Sequence, residues 1–189
     1  MRLFESMEEI IRNNASVLYD GVPTYIYWVL LILFCIVALL LCCLFRSKKA
    51  LSWSVALLAV EYYFLILSST VFFRPHSSWK HNFTPFWSYK AYLEGEKELI
   101  VDNLFNVAVF IPVGILISVI LNRAKWWQVT LIGLSLSVTI ETLQFFLKRG
   151  FSEFDDVMHN TLGCMIGYGV YASIRYGYEA FSKRHVAVF

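Results

Sequence analysis

A stripe of polar residues inside an apolar segment is the part of this sequence best suited to chemistry. Ser137, Glu141, Gln144 and Lys148 follow one another at spacings of four, three and four residues. This spacing places them on one face of a helix that we predict over residues 126–147. Since an unpaired carboxylate at membrane depth is costly, Glu141 either fixes helix packing through a buried hydrogen bond or has a functional role. In the functional interpretation, its carboxyl group binds a polar headgroup or acts as a general base.

An acidic turn after this helix leads into a second polar stripe. Arg149 begins the turn, and Asp155 and Asp156 end it. Asp156 and Asn160 are four residues apart at the start of another apolar segment, so they share a helix face. This makes Asp156 a second candidate for a general base and Asn160 a candidate hydrogen-bond donor.

Proline and glycine residues indicate where two apolar segments pack. Pro112 removes a backbone donor and frees the carbonyl group of Ala108, and Gly114 follows two residues later. The helix that contains Pro112 either has a simple packing kink or lines a polar site. Gly163 and Gly167, which are four residues apart, predict a close helix–helix contact.

The composition places the chain in the membrane. The 189 residues are 58% hydrophobic, and the mean hydropathy is +0.59, which is more apolar than a soluble domain of this size can hide. A formal net charge of +2 without a Lys/Arg-rich block argues against nucleic-acid binding. The cysteines and histidines lack metal-ligand spacing, so we expect neither a metal ion nor a cofactor.

Five apolar segments are long enough to cross a bilayer, at about 20 residues per crossing. They cover residues 23–45, 51–73, 104–121, 126–147 and 157–175. The sequence therefore predicts an all-α integral membrane helical bundle with about five transmembrane helices and an N-terminal amphipathic helix.

This bundle divides into five consecutive parts. The apolar residues of segment 1–22 recur at helical spacing, which predicts an amphipathic helix at the membrane interface. The remaining parts are two N-terminal transmembrane helices (23–73), an outer aromatic loop (74–103), a three-helix core (104–175) and a cytoplasmic tail (176–189).

The distribution of lysine and arginine predicts the orientation. Basic residues are densest in the short loops after the first and third segments and in the tail after the fifth. Because such loops tend to be cytoplasmic, we expect the N-terminus outside and the C-terminus inside. The loop 74–103 and the turn 148–156 then face the outer leaflet, as do Glu141 and Asn160.

An ordered set of motifs resembles a known family. The set consists of Thr70 with Arg74, Asn82-Phe-Thr-Pro85-Phe86, the segment from Asn103 through Asn106 and Pro112 to Gly114, Ser137-Val-Thr-Ile-Glu141-Thr-Leu-Gln144, and the segment from Asp156 through Asn160 and Gly163 to Gly167. Over about residues 65–172 the chain is similar to the VanZ-like family of bacterial membrane proteins. The resemblance implies a protein of the bacterial cytoplasmic membrane linked to lowered susceptibility to teicoplanin, a lipid-tailed glycopeptide. It implies no particular reaction.

Together these observations predict an outward-facing polar cleft. Its expected ligand-binding residues are Arg74, Asn82, Asn106, Glu141, Gln144, Arg149, Asp155, Asp156 and Asn160. The leading hypothesis is a non-enzymatic or poorly catalytic protein that binds an amphiphile, with membrane lipids, a lipid-tailed glycopeptide or a cell-wall precursor as partners.

Two alternatives remain open. The first is an intramembrane enzyme that modifies a lipid or lipid-linked envelope component, with Glu141 or Asp156 as general base. The second is a lipid transporter, which the lack of a visible inverted repeat makes less favoured.

Overall fold

The computed structural model describes residues 48–72, 74 and 80–186. The predicted amphipathic helix 1–22 and the predicted first span 23–45 lie outside the described residues. Those described form five α-helices and two short strands: α1 (Lys48–Leu67, continued by the π-helical turn Ser68–Phe72), β1 (His81–Asn82), α2 (Trp87–Glu94), α3 (Glu98–Leu121), α4 (Trp126–Leu147), β2 (Ser152–Glu153) and α5 (Phe154–Val186). The prediction of a helical fold is thus confirmed.

Three helices in the described part of the chain are long and apolar enough to cross a membrane. They are Ser52–Phe72, Glu98–Leu121 and Trp126–Leu147, which correspond to the predicted spans 51–73, 104–121 and 126–147. The predicted fifth span, 157–175, lies within α5, whose 33 residues run on to a polar end. The structure therefore supports three spans, and the count of about five is not confirmed.

The segment expected to be an outer loop contains regular structure. Helix α2 lies inside residues 74–103, and α3 begins there at Glu98 rather than near residue 104. Gly95 separates the two helices with a φ of 120°, a backbone conformation that residues with a side chain rarely adopt. Strand β1 pairs in parallel with β2, so this segment is joined to the turn after α4.

Helices α3 and α5 contact each other through their backbones. A Cβ atom on Gly163 would collide with the carbonyl oxygen of Val107, and one on Gly167 would collide with that of Ile111. In the same way, a Cβ atom on Gly114 would collide with the carbonyl oxygen of Cys164. The predicted packing glycines are therefore all found at one helix–helix contact, where only the absence of a side chain permits the approach.

Two tyrosines attach α1 to the other helices. The hydroxyl group of Tyr62 donates to the carbonyl oxygen of Val109 in α3 at 3.1 Å. The hydroxyl group of Tyr63 donates to the carbonyl oxygen of Leu136 in α4 at 2.9 Å. These bonds fix the position of α1, whose C-terminal end closes one side of the bundle.

The core of the described bundle is small, and much apolar surface faces outward. The buried apolar side chains are Ile66, Val71, Phe110, Val113, Ile117, Val129, Ile140 and Cys164. Large apolar side chains such as Trp53, Phe64 and Phe146 are exposed instead. Contiguous exposed apolar surface is rare in soluble monomers, and here it suits contact with lipid chains.

We predict that Gly163→Ala destabilises the bundle, because the new methyl group meets the backbone of α3. Overpacking of this kind costs about 1–3 kcal/mol, so the thermal unfolding midpoint of the detergent-solubilised protein should fall. Gly169→Ala is the matched control, since a Cβ atom there would meet nothing within 4 Å. Equal midpoints for the two variants would contradict the close contact between α3 and α5.

Candidate functional site

One end of the bundle encloses a cavity of about 610 Å³. It lies among the C-terminal end of α1, the N-terminal half of α3, the C-terminal half of α4 and the start of α5. We call it the polar cavity, because its lining includes six of the nine residues expected to bind ligand: Arg74, Asn106, Glu141, Gln144, Asp156 and Asn160. Side chains on four separate segments thus converge on one volume.

Glu141 lies in the wall of the polar cavity and holds the turn that follows α4. Its side chain is only 6% exposed, and its Oε2 atom accepts a hydrogen bond from the backbone N–H of Glu153 at 2.8 Å. The backbone carbonyl oxygen of Glu141 accepts a second bond from the hydroxyl group of Ser152 at 3.0 Å. Glu141 therefore fixes strand β2 against α4, and its carboxyl group also lines the cavity.

Asp156 connects α5 to α3. Its Oδ1 atom accepts a hydrogen bond from the Nδ2 atom of Asn106 at 2.6 Å. The guanidinium group of Arg74 attracts the Asp156 carboxylate across the cavity. The carboxylate is therefore held by an amide on one side and faces a cation on the other.

Two buried amides present unused oxygen atoms. Gln144 donates from Nε2 to the carbonyl oxygen of Thr70 at 3.1 Å, and Asn160 donates from Nδ2 to the hydroxyl oxygen of Ser137 at 2.8 Å. Both side chains are 4% exposed. Within the described residues, Gln144 Oε1 and Asn160 Oδ1 have no hydrogen-bond partner. A buried polar atom left unpaired costs about 1–3 kcal/mol, so each oxygen calls for a donor from the cavity.

Asp155 lies outside the lining of the polar cavity. Its side chain is completely buried and accepts three hydrogen bonds: from the backbone N–H groups of Phe86 (2.6 Å) and Ser88 (2.9 Å), and from the Ser88 hydroxyl group (2.6 Å). The Nδ2 atom of Asn103 donates to the same hydroxyl oxygen at 3.1 Å. Asp155 thus holds the start of α2, including Phe86 with its positive φ of 62°.

Arg149 and Asn82 also bond to the backbone rather than line the cavity. Arg149 Nη1 donates to the carbonyl oxygens of Phe72 and, at 2.9 Å, Arg74. Asn82 Oδ1 accepts from the N–H group of Thr84 at 3.0 Å, within the turn after β1. Because Arg149 binds the backbone of Arg74, it helps to position the one arginine that does line the cavity.

The polar cavity contains further polar residues that we did not predict from the sequence. They are Ser69, Thr70, Lys80, Trp87, Asp102, Asn103 and Glu153. Glu153 and Asp102 bring the number of lining carboxyl groups to four, against the two cations Arg74 and Lys80. Glu153 lies in the acidic turn after α4, and the acidic composition of that turn was the signal that could have identified it. It was missed because it belongs to neither helical stripe.

Glu153 lies in strand β2, between α4 and α5, and its carboxyl group lines the polar cavity. Burial raises its pKa from 4.5 to about 8, and the negative charges of Asp156, Asp155 and Asp102 act in the same direction. The indole N–H group of Trp87 opposes the shift by donating to Glu153 Oε2 at 3.2 Å. The carboxyl group therefore binds or releases a proton near neutral pH. Among the described residues, no three His, Cys, Asp or Glu side chains are grouped to hold a metal ion.

We predict that ionisation of Glu153 destabilises the protein as pH rises. The folded state binds this proton more tightly than the unfolded state, so the stabilisation is complete below about pH 4.5 and is lost as pH approaches about 8. Glu153→Gln keeps an acceptor for Trp87 but removes the charge, and should flatten the decline of the unfolding midpoint between pH 5 and 9. Glu96→Gln, at an exposed position, is the control. Parallel profiles for wild type and Glu153→Gln would refute this assignment.

Comparison with known proteins agrees with the motifs. The family model described as VanZ/LLP1 matches residues 53–175. The chain is also 33% identical over 70 residues to Protein VanZ from Enterococcus faecium, an alignment that covers 37% of this chain and 44% of that relative. The match thus spans less than half of the relative's length. No solved structure matches the chain.

The matched region includes every residue that lines the polar cavity. It also includes the three candidate spans, except Ser52 at the start of the first span. The resemblance drawn from the ordered motifs is therefore confirmed. Since the family model covers more than half of the sequence, this chain belongs to the VanZ/LLP1 family.

Proposed function

We propose that this protein binds the headgroup of an amphiphile or cell-envelope lipid in the polar cavity and thereby lowers susceptibility to lipid-tailed glycopeptides such as teicoplanin. Two buried amide oxygens, on Gln144 and Asn160, carry this proposal, since neither has a hydrogen-bond partner among residues 48–72, 74 and 80–186. Both line a cavity large enough for a small molecule or headgroup. A ligand that donates hydrogen bonds would remove the cost of leaving them unpaired.

The depth of the polar residues supports a headgroup as the bound part. Glu141 lies six residues before the end of α4, which is about 9 Å along the helix axis at 1.5 Å per residue. Gln144 is nearer the end still. This is the depth at which polar headgroups meet acyl chains. Exposed apolar side chains such as Phe64 and Phe146 would contact the chains.

Charge at the other end of the bundle supports an outward-facing cavity. Arg123 and Lys125 lie in the short connection between α3 and α4. Arg175, on α5, donates to the carbonyl oxygen of Asn122 in that connection at 3.1 Å. Because basic residues in short loops favour the cytoplasm, we propose that this end faces inward. The cavity then opens to the outer leaflet of the bacterial cytoplasmic membrane, and with the predicted span 23–45 ahead of α1 the N-terminus is outside.

An outward cavity gives teicoplanin susceptibility a physical connection to the site. A glycopeptide with a lipid tail is concentrated at the outer leaflet, as are cell-wall precursors. A protein that binds one of these amphiphiles, or a lipid around them, changes the access of the glycopeptide to its target. A glycopeptide without a lipid tail, such as vancomycin, should be affected less.

An enzymatic function is favoured by one observation. Glu141, Glu153 and Asp156 place three carboxyl groups on the same cavity, and Glu153 has a pKa of about 8. Protonated and ionised carboxyl groups can therefore coexist at neutral pH, as acid–base chemistry requires. The alternative function is modification of a lipid or lipid-linked envelope component, with Glu141 or Asp156 as general base. Turnover of a labelled envelope lipid by the purified protein would support the enzyme over the binder.

We predict that the wild-type protein raises the minimum inhibitory concentration of teicoplanin in a susceptible Gram-positive host, with a smaller change for vancomycin. Glu141→Gln should return teicoplanin susceptibility to that of the empty vector, because the variant removes a buried carboxyl group from the cavity wall. Ser135→Ala is the matched control on α4, where the exposed hydroxyl group only bonds back to Leu131.

Membrane levels of all variants must be matched before these values are compared. Protection by wild type and Ser135→Ala that survives in Glu141→Gln would reduce Glu141 to a packing residue. Absence of protection by wild type would refute the resistance function for this protein.

A further inference from the structure

We propose that the polar cavity is specific for a zwitterionic headgroup with a primary ammonium and a phosphate, the chemistry of phosphoethanolamine. The ammonium would face Gln144, Asn160 and the carboxyl groups, and the phosphate would face Arg74. This inference rests on the proposed function and names the ligand class of the same site.

The acceptors of the cavity call for a group with several N–H donors. Gln144 Oε1 and Asn160 Oδ1 are buried and unpartnered within the described chain, and both side chains line the cavity. A primary ammonium has three donors and no acceptor, so it can donate to one of these oxygens and to a carboxyl group at the same time. A trimethylated ammonium has the same charge but no N–H donor, and therefore leaves both amide oxygens unpaired.

The acidic side chains of the lining also favour a group with N–H donors. The lining contains four carboxyl groups, from Asp102, Glu141, Glu153 and Asp156, and two cationic side chains, from Arg74 and Lys80. Because burial raises the pKa of Glu153 to about 8, these acids are not all charged at neutral pH. Each carboxyl group still has an oxygen that accepts a hydrogen bond, and an ionised one would pair with an ammonium.

Arg74 supplies a place for the phosphate beside the ammonium. Gly150 has a φ of 81°, and a Cβ atom on it would lie 3.0 Å from Arg74 Nη1 and 3.4 Å from Gln144 Nε2. The missing side chain therefore leaves the guanidinium group room next to the buried amide. Arginine binds phosphate through two parallel N–H donors. Lys80, which is exposed, provides a second cation on the same cavity.

The binding experiment compares three lysolipids with the same acyl chain and the full-length protein in a neutral detergent. Lysophosphatidylethanolamine has the phosphate and three N–H donors, lysophosphatidylcholine has the phosphate without N–H donors, and lysophosphatidylglycerol has the phosphate and hydroxyl groups without an amine. We expect lysophosphatidylethanolamine to bind about tenfold more tightly than either of the others, the size expected for one charge-assisted hydrogen bond.

Two variants separate the ammonium from the phosphate. Glu141→Gln should reduce the preference for the ethanolamine lipid over the choline lipid, because it removes a carboxyl group that would pair with the ammonium. Arg74→Gln should weaken both lipids by a similar factor and leave their ratio unchanged, because both contain the phosphate. Ser135→Ala should match wild type in all arms, and unfolding midpoints verify that each variant is folded.

Each outcome bears on the ligand class or on the proposed function itself. Equal binding of the ethanolamine and choline lipids, or tighter binding of the glycerol lipid, would overturn the ammonium assignment and leave lipid binding intact. No binding of any lysolipid would overturn both. Soluble phosphoethanolamine is tested last, as a competitor of lysophosphatidylethanolamine binding. If it competes as effectively as the lysolipid itself, the headgroup chemistry is supported but a lipid as the ligand is refuted.

Discussion

Buried carboxyl groups require hydrogen-bond donors, and this requirement organises the polar end of the bundle. Asp155 draws two backbone N–H groups and the Ser88 hydroxyl group around it, which fixes the start of α2. Glu141 binds the backbone N–H of Glu153 and holds β2 against α4. Asp156 binds Asn106 and joins α5 to α3. Removing a donor from any of these would leave a buried carboxyl oxygen short of a hydrogen bond, which costs more than the loss of an exposed polar contact.

The polar cavity is also lined by polar groups that these hydrogen bonds of the carboxyl groups do not involve. The nitrogen atoms of the Gln144 and Asn160 amides bond to Thr70 and Ser137, while their oxygen atoms have no partner in the part of the chain that the structure describes. Below this level, α3 and α5 contact each other through their backbones at Gly163 and its neighbours. Under the proposed function, the unpaired amide oxygens reflect the chemistry of a ligand rather than a packing defect.

Helical periodicity predicted much of the site from the sequence. The spacing of Glu141 and Gln144 placed both on one face of α4, and the spacing of Asp156 and Asn160 did the same for α5; the structure brings the two faces to one cavity. Periodicity could not separate Asp155 from Asp156, because adjacent helical residues point about 100° apart and only the fold decides which one meets α2. Glu153 and Lys80 lie outside the helices, where no period applies. The contact of Arg149 with the carbonyl group of Arg74 joins residues far apart in sequence and depends on tertiary structure alone.

The separation between positioning residues and cavity residues has a consequence for selectivity. Asp155, Arg149 and Asn82 bond to backbone groups and hold α2, the end of α1 and the turn after β1. Substitution of Asp155 or Arg149 would displace segments around the cavity and so affect every ligand alike. Gln144 and Asn160 instead line the cavity with side-chain atoms. Under the proposed function, their substitution would change which headgroup is preferred, whereas substitution of Arg74 would weaken every phosphate-containing headgroup alike. A variant that still folds but no longer prefers one headgroup over another would therefore identify a residue whose side chain contacts the ligand. Atoms that are already paired within the protein cannot discriminate among ligands.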